Sequence, residues 1–152
     1  MKANDLMIGD WVQVAKDVCI KKGTIVKVRS IDGDNSFPEK GLKGCATCEP
    51  IDDRTISGGV WVEYLEPIPL TPEILEKNGF IKNVLRKNVL VYVFSDNEDY
   101  YTLVIDEYSD SIWRLEYTNN EFNTPITRIM FSYVHELQHA LRLCGIDKEI
   151  VL

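Results

Sequence analysis

Residues 65–80 read LEPIPLTPEILEKNGF, and the parsing of this stretch decides how the chain is divided. Pro67 and Pro69 hold the backbone extended and withhold two N–H donors, which bars the segment from the interior of a sheet. Thr71 is a good N-cap, Pro72 suits the first helical position, and Glu73 sits where the partial positive charge of a helix start favours an acid. Gly79 supplies the left-handed residue that stops a helix. The stretch predicts a short helix over 72–78 with Ile74 and Leu75 facing inward. It also places a boundary, with a first domain over 1–66 and a second over 67–152.

Upstream of the boundary, 10–15 (DWVQVA) and 24–32 (TIVKVRSID) are β-rich and joined by a turn containing Lys21, Lys22 and Gly23. Val26 and Val28 alternate with Lys27 and Arg29, the period of a half-buried strand. The segment 33–58 is rich in Gly, Pro, Asp and Ser and reads as loop with one short strand. A third strand follows over 59–66 (GVWVEYLE). Short strands separated by polar loops predict an SH3-like small β-barrel or curled sheet. Downstream, strands over 89–95, 100–107, 111–118 and 126–131 predict an antiparallel β-meander with turns at 96–99 and 108–110. A C-terminal helix is expected to begin after Ser132 as N-cap and to end at Gly145. The fold class is therefore α+β, with one short and one C-terminal helix.

Composition narrows the function classes. At 152 residues, 45% apolar and 27% charged, the chain is an ordinary globular one, long enough to bury about 70% of its unfolded surface without a disulfide or metal staple. No run approaches the ~18 apolar residues of a membrane span. The start, MKANDLMIGDWVQV, has no apolar signal region, so the expected localisation is cytoplasmic, without membrane contact. Cys19, Cys45, Cys48 and Cys144 then read as free thiols. Cys45-Ala-Thr-Cys48 is the one close pair. With no second C-x-x-C and with Glu49-Pro50-Ile51-Asp52-Asp53 following, it reads as thiols in a loop, metal or redox use being the alternative. A net charge of −7 speaks against a general nucleic-acid binder. The residues such a binder would use are Lys21, Lys22, Lys27 and Arg29, in a first 30 residues holding six cations against three acids. Residues 96–121 carry eight acids against Arg114 alone.

One string matches a catalytic motif. His135-Glu136-Leu137-Gln138-His139 fits H-E-x-x-H, in which two histidines bind zinc and the glutamate serves as general base. With Val134 at zero and about 100° per residue, Leu137, Leu141 and Cys144 form an apolar stripe. Both histidines fall on the opposite side, which predicts that they face solvent rather than an enclosed cleft. Gln138 borders the stripe. A third ligand is also wanted. Glu149 is the one acid placed downstream for that role, and 140–146 (ALRLCGI) lacks the extended zinc signature. His135 would further set a dication against the positive end of the helix. No catalytic, cofactor-binding or metal-ligating residue is therefore assigned, and no cofactor is expected. No Gly-rich phosphate loop, Ser/His/Asp arrangement or paired-carboxylate cleft is identified from spacing.

Three stretches, DLMIGDWV (5–12), LEPIPLTPEILEKNGF (65–80) and YVHELQHALRLCGI (133–146), together resemble a family of small uncharacterised Bacteroidetes proteins associated with phage and other mobile elements. Its pattern has an I-x-P-I-P-L-T middle and a Y-V-H-x-L-Q ending. The resemblance covers about a quarter of the chain. Val134, His135, Leu137 and Gln138 match it, whereas Glu136 and His139 fall where the pattern makes no demand. It implies a mobile-element setting and carries no activity with it. The expected function is a non-enzymatic binding or accessory protein whose partner is a protein, met through aromatics (Trp11, Trp61) exposed on the N-terminal sheet. The alternative is a zinc-dependent hydrolase using residues 135–139.

Overall fold

The computed structural model describes residues 1–85, 89–95, 101–109, 112–119 and 124–152. Two compact units, Met1–Ile68 and Pro69–Leu152, each carry a five-stranded sheet whose described pairings are antiparallel. With two helices added, the class is α+β. No described helix is long and apolar enough to cross a membrane.

The first unit contains β1 (Trp11–Val14), β2 (Ile25–Phe37), β3 (Leu42–Pro50), β4 (Gly58–Trp61) and β5 (Leu65–Pro67), with 3-10 turns at Pro38–Lys40 and Val62–Tyr64. The sheet runs β4-β3-β2-β1-β5 and is open, with β4 and β5 at its edges. Strand alternation places the core: Leu42, Gly44, Ala46, Cys48 and Pro50 of β3 are buried, and the residues between them are not. Val12, Val14, Val26, Val28, Val60 and Leu65 join Ala46 and Cys48 in one apolar cluster. Asp10 is a fully buried acid whose carboxylate accepts the Met7 N–H at 2.7 Å, while its carbonyl accepts the Val28 N–H at 2.9 Å. In the segment DLMIGDW it thus closes the turn that leads into β1.

Two expectations for this half are corrected. The segment 33–58 is not mostly loop, because β2 and β3 form a long hairpin through it, paired from Val26↔Pro50 to Phe37↔Leu42. Gly33, Asp34 and Asn35 have poor strand propensity, and the pairing with β3 holds on either side of them, at Asp32↔Cys45 and Ser36↔Lys43. The register shift between Asp32 and Ser36 absorbs them as a bulge, and Asp32 Oδ1 accepts the Asp34 and Asn35 N–H groups there. The continuous strand expected over 59–66 is broken into β4, a 3-10 turn and β5, which lets the chain change its pairing partner from β3 to β1.

The second unit contains α1 (Pro72–Lys77), β6 (Ile81–Leu85), β7 (Val89–Ser95), β8 (Tyr101–Ser109), β9 (Ile112–Asn119), β10 (Thr124–Phe131) and α2 (Val134–Leu143), in sheet order β10-β9-β8-β7-β6. Strand β6 was not anticipated. The turn expected at 96–99 lies outside the described residues; of the turn expected at 108–110, Tyr108 and Ser109 belong instead to β8 and residue 110 lies outside the described residues. Thr71 caps α1, its side chain accepting from the Ile74 N–H. Both helices then end alike. Phe80 N–H bonds Leu75 O and Gly79 N–H bonds Glu76 O; Ile146 N–H bonds Leu141 O and Gly145 N–H bonds Arg142 O. This is the Schellman arrangement, which needs a left-handed residue; Gly79 and Gly145 supply it at φ 79° and 74°. Asn78 is buried and clamps the C-terminal tail, donating to Ile74 O and Val151 O and accepting from Val151 N–H.

Candidate functional site

The helix bearing HELQH is not turned as its aliphatic residues suggest. His135 is 4% exposed and Gln138 3%, while His139 is half-buried, so the expectation that both imidazoles face water is overturned. The buried residues are Val134, His135, Leu137, Gln138, Ala140 and Leu141, an arc of about 220° on the helical wheel. Centring the wheel on aliphatic side chains alone missed this, because an imidazole and an amide are covered on the same arc as the aliphatic residues. The His135 ring stacks on Tyr133, centroids 6.0 Å apart, and meets His139 edge to face at 5.7 Å. Glu136 faces elsewhere. Its Oε2 accepts the N–H groups of Ser132 and Tyr133 at 2.8 and 3.2 Å, the glutamate half of a capping box. The N-cap is accordingly Tyr133, one residue beyond the expected Ser132. In this position the carboxylate holds the chain's entry into α2, where a general base would hold a water. Glu149 is exposed in the tail that follows. Among the described residues, no group of three His, Cys, Asp or Glu stands where it could hold a metal ion.

The cysteine pair lies in β3 and not in a loop. Cys48 is buried and Cys45 half-buried, on opposite faces of the strand. Three residues of strand span about 10 Å, beyond the ~7 Å limit for a disulfide, so the two cannot bond while β3 persists. Burial, with the neighbouring Cys45 and Cys19 thiols adding to it, pushes the Cys48 thiol up to about 12. Burial and then Asp32 raise Cys45 as well. Both are held in the unreactive thiol form. Arg29 is ion-paired with Glu49 at 2.6 Å, and Lys27 lies over the Trp11 ring at 5.3 Å. Trp11 itself is only 7% exposed, which corrects its reading as an exposed aromatic.

What the first unit does bring together is a solvent-open hollow of about 290 Å³ lined by Val18, Phe37, Lys40, Leu42, Trp61 and Tyr64. The hairpin supplies Phe37 and Leu42, which are register partners, and Lys40 from the turn between them. Trp61 closes β4, and Tyr64 belongs to the 3-10 turn after it. Val18 comes from the β1–β2 connection. That connection is tied down by Ala15 N–H to Tyr64 O at 2.7 Å and Cys19 Sγ to Gly59 O at 3.4 Å. A Cβ on Gly58 would stand 2.5 Å from Cys19 Sγ, so a larger residue there would oblige the thiol to turn away from Gly59 O. On the other side, Glu63 Oε1 accepts the Lys43 N–H at 2.8 Å and joins β3 to the turn that carries Tyr64.

Comparison with protein-family models, with curated proteins and with solved structures finds no match. The chemistry of the hollow is therefore the guide. Phe37 is 41% exposed and Val18 38%, so apolar surface is left open in a hollow lined by three aromatic side chains. Lys16 Nζ lies 4.6 Å from the Tyr64 ring centroid and 3.5 Å from its hydroxyl; Lys40 Nζ lies 5.0 Å from the Phe37 centroid. Of these residues the sequence reading had singled out Trp61 alone. The detectable signal was the aromatic and lysine content of 16–18, 37–42 and 61–64, visible only once 33–58 is folded as a hairpin.

Proposed function

We propose that the chain is a non-enzymatic binding or accessory protein that takes a partner protein into the hollow of its first unit. The observation that carries this reading is the convergence of Phe37, Trp61 and Tyr64 around an open cavity of about 290 Å³. That volume lies at the lower end of ligand pockets, about 300–1,000 Å³, which suits an anchor side chain better than a large cofactor. The strand order β4-β3-β2-β1-β5, with a 3-10 turn between β4 and β5, supports describing this unit as SH3-like. The resemblance of residues 5–12, 65–80 and 133–146 to the Bacteroidetes family supports a phage or mobile-element setting. The four free cysteines support action in the cytoplasm.

Magnitudes say what kind of complex to expect. Seating one aromatic side chain buries about 200 Å², worth about 5 kcal/mol gross at ~25 cal/mol per Å². Micromolar affinity needs about 8 kcal/mol net, so the hollow works only together with polar contacts along its rim. A photoreactive residue in place of Phe37 should cross-link a reproducible partner in cells, and Trp61→Ala should abolish the adduct while leaving the fold intact. A partner that binds equally well after Trp61→Ala would remove the hollow from the account. The zinc-hydrolase alternative is tested separately: stoichiometric zinc in protein purified without chelator, lost on His139→Ala, would replace this reading.

A further inference from the structure

We infer that the occupant of the hollow is an extended acidic segment of the partner protein, with one large apolar side chain seated among Phe37, Leu42 and Trp61 and carboxylates reaching Lys16 and Lys40. The inference rests on the hollow being the docking site and adds the charge and shape of what docks there.

The charge argument begins with composition. The chain has 24 acids against 17 lysines and arginines, and some of its cations are taken up by them. Arg29 pairs with Glu49, Lys82 with Glu76 and Arg128 with Glu116. Lys16 and Lys40 do otherwise. Among the described residues neither forms an ion pair, and each ammonium stands over a ring that lines the hollow. A cation held over a ring face keeps N–H donors directed outward, so an arriving carboxylate adds a partner without displacing one. Two such cations on separate lining rings, Tyr64 and Phe37, match acids placed on either side of a central anchor.

The shape argument is one of size. A helix with its side chains is about 10–12 Å across and needs a long trough, whereas about 290 Å³ admits a side chain. In an extended chain residues two apart point the same way, about 6.6 Å along the strand. An anchor with acids two residues before and after it therefore presents all three to one surface. A nucleic acid is disfavoured by the same inventory. Two lysines neutralise about two phosphates, too few to hold a longer phosphate chain but enough for two carboxylates.

The test uses the full chain and four labelled probes followed by fluorescence anisotropy and by amide and Trp61 indole resonances. Three are nine-residue peptides with a central leucine and, two residues to either side, glutamate, glutamine or lysine; the fourth is a nine-nucleotide oligo-dT. The glutamate peptide should bind at least tenfold more tightly than the lysine peptide, weaken several-fold between 50 and 300 mM salt, and shift the Trp61 indole signal. The double variant Lys16→Ala/Lys40→Ala should lose about tenfold in affinity along with the salt dependence, at unchanged melting temperature, and Lys16→Arg/Lys40→Arg should restore both. Equal binding of the glutamate and glutamine peptides at the Trp61 signal would overturn the acidic preference while leaving the hollow as a docking site. Binding of oligo-dT more tightly than any peptide would overturn it in favour of nucleic acid. A Trp61 signal that no probe moves would sink both the preference and the docking reading.

Discussion

The aromatic hollow of the first unit and the histidine-bearing helix of the second use polar side chains in opposite ways. In α2 the residues of the motif are drawn into the fold: His135 and Gln138 are buried, and Glu136 holds two backbone N–H groups at the helix start. Around the hollow, Lys16 and Lys40 lie over rings beside open apolar surface. A motif string is thus a weaker guide to function than the partners each polar atom has in the fold. A group whose donors and acceptors are used internally serves stability first. A group left facing an open cavity is available to a ligand.

That contrast can be broken by mutation, beginning where the effect should be largest. Leu141 is fully buried, so Leu141→Ala should cost about 2–5 kcal/mol in denaturant unfolding. His135→Ala should follow at about 1–3 kcal/mol and exceed His139→Ala; equal small losses would return both rings to the surface. Glu136→Ala should cost about 1 kcal/mol as a lost cap, and Glu136→Gln much less, because an amide oxygen can still accept. A glutamine variant as unstable as the alanine one would argue against the capping role. At the hollow, Phe37→Ala and Lys40→Ala should each change stability by less than about 0.5 kcal/mol, since neither side chain is buried. A large loss at either position would place them with α2 as structural residues.

The cysteines sharpen the same contrast through pH. The folded Cys48 thiol is raised from its ordinary value near 9 to about 12, so the unfolded chain ionises first. Its contribution to stability is complete below about pH 9 and is lost as pH rises toward about 12. Cys48→Val, of similar size, should flatten that alkaline decline in a urea titration. A thiol-specific reagent at pH 8 should modify exposed Cys19 first and reach Cys48 only on unfolding. Modification of Cys48 at the Cys19 rate would show that the β3 face opens.

The local signals were legible where one or two turns of chain decide the outcome. Thr71, Pro72 and Gly79 anticipated the helix at Pro72–Lys77 with its cap and its stop, because capping is settled by hydrogen bonds within six residues. Strands with clear alternation, such as β1 and the first half of β2, were legible for the same reason. The hairpin through 33–58 was not. Gly33, Asp34 and Asn35 carry turn chemistry, and only pairing with β3 keeps β2 continuous to Phe37.

The candidate site shows the division most clearly. Its lining residues, from Val18 to Tyr64, are distant in sequence and meet through strand register, a bulge and the docking of Cys19 against Gly58 and Gly59. The sequence by itself determined the α+β class, the short helix capped by Thr71, the excess of acid and the presence of H-E-x-x-H. Only the tertiary structure decided that His135 is covered, that Trp11 is interior and that Phe37, Trp61 and Tyr64 share a cavity. The reason is physical. Caps and periodicity are written in neighbouring residues, whereas burial and convergence depend on which segments pair across the sheet.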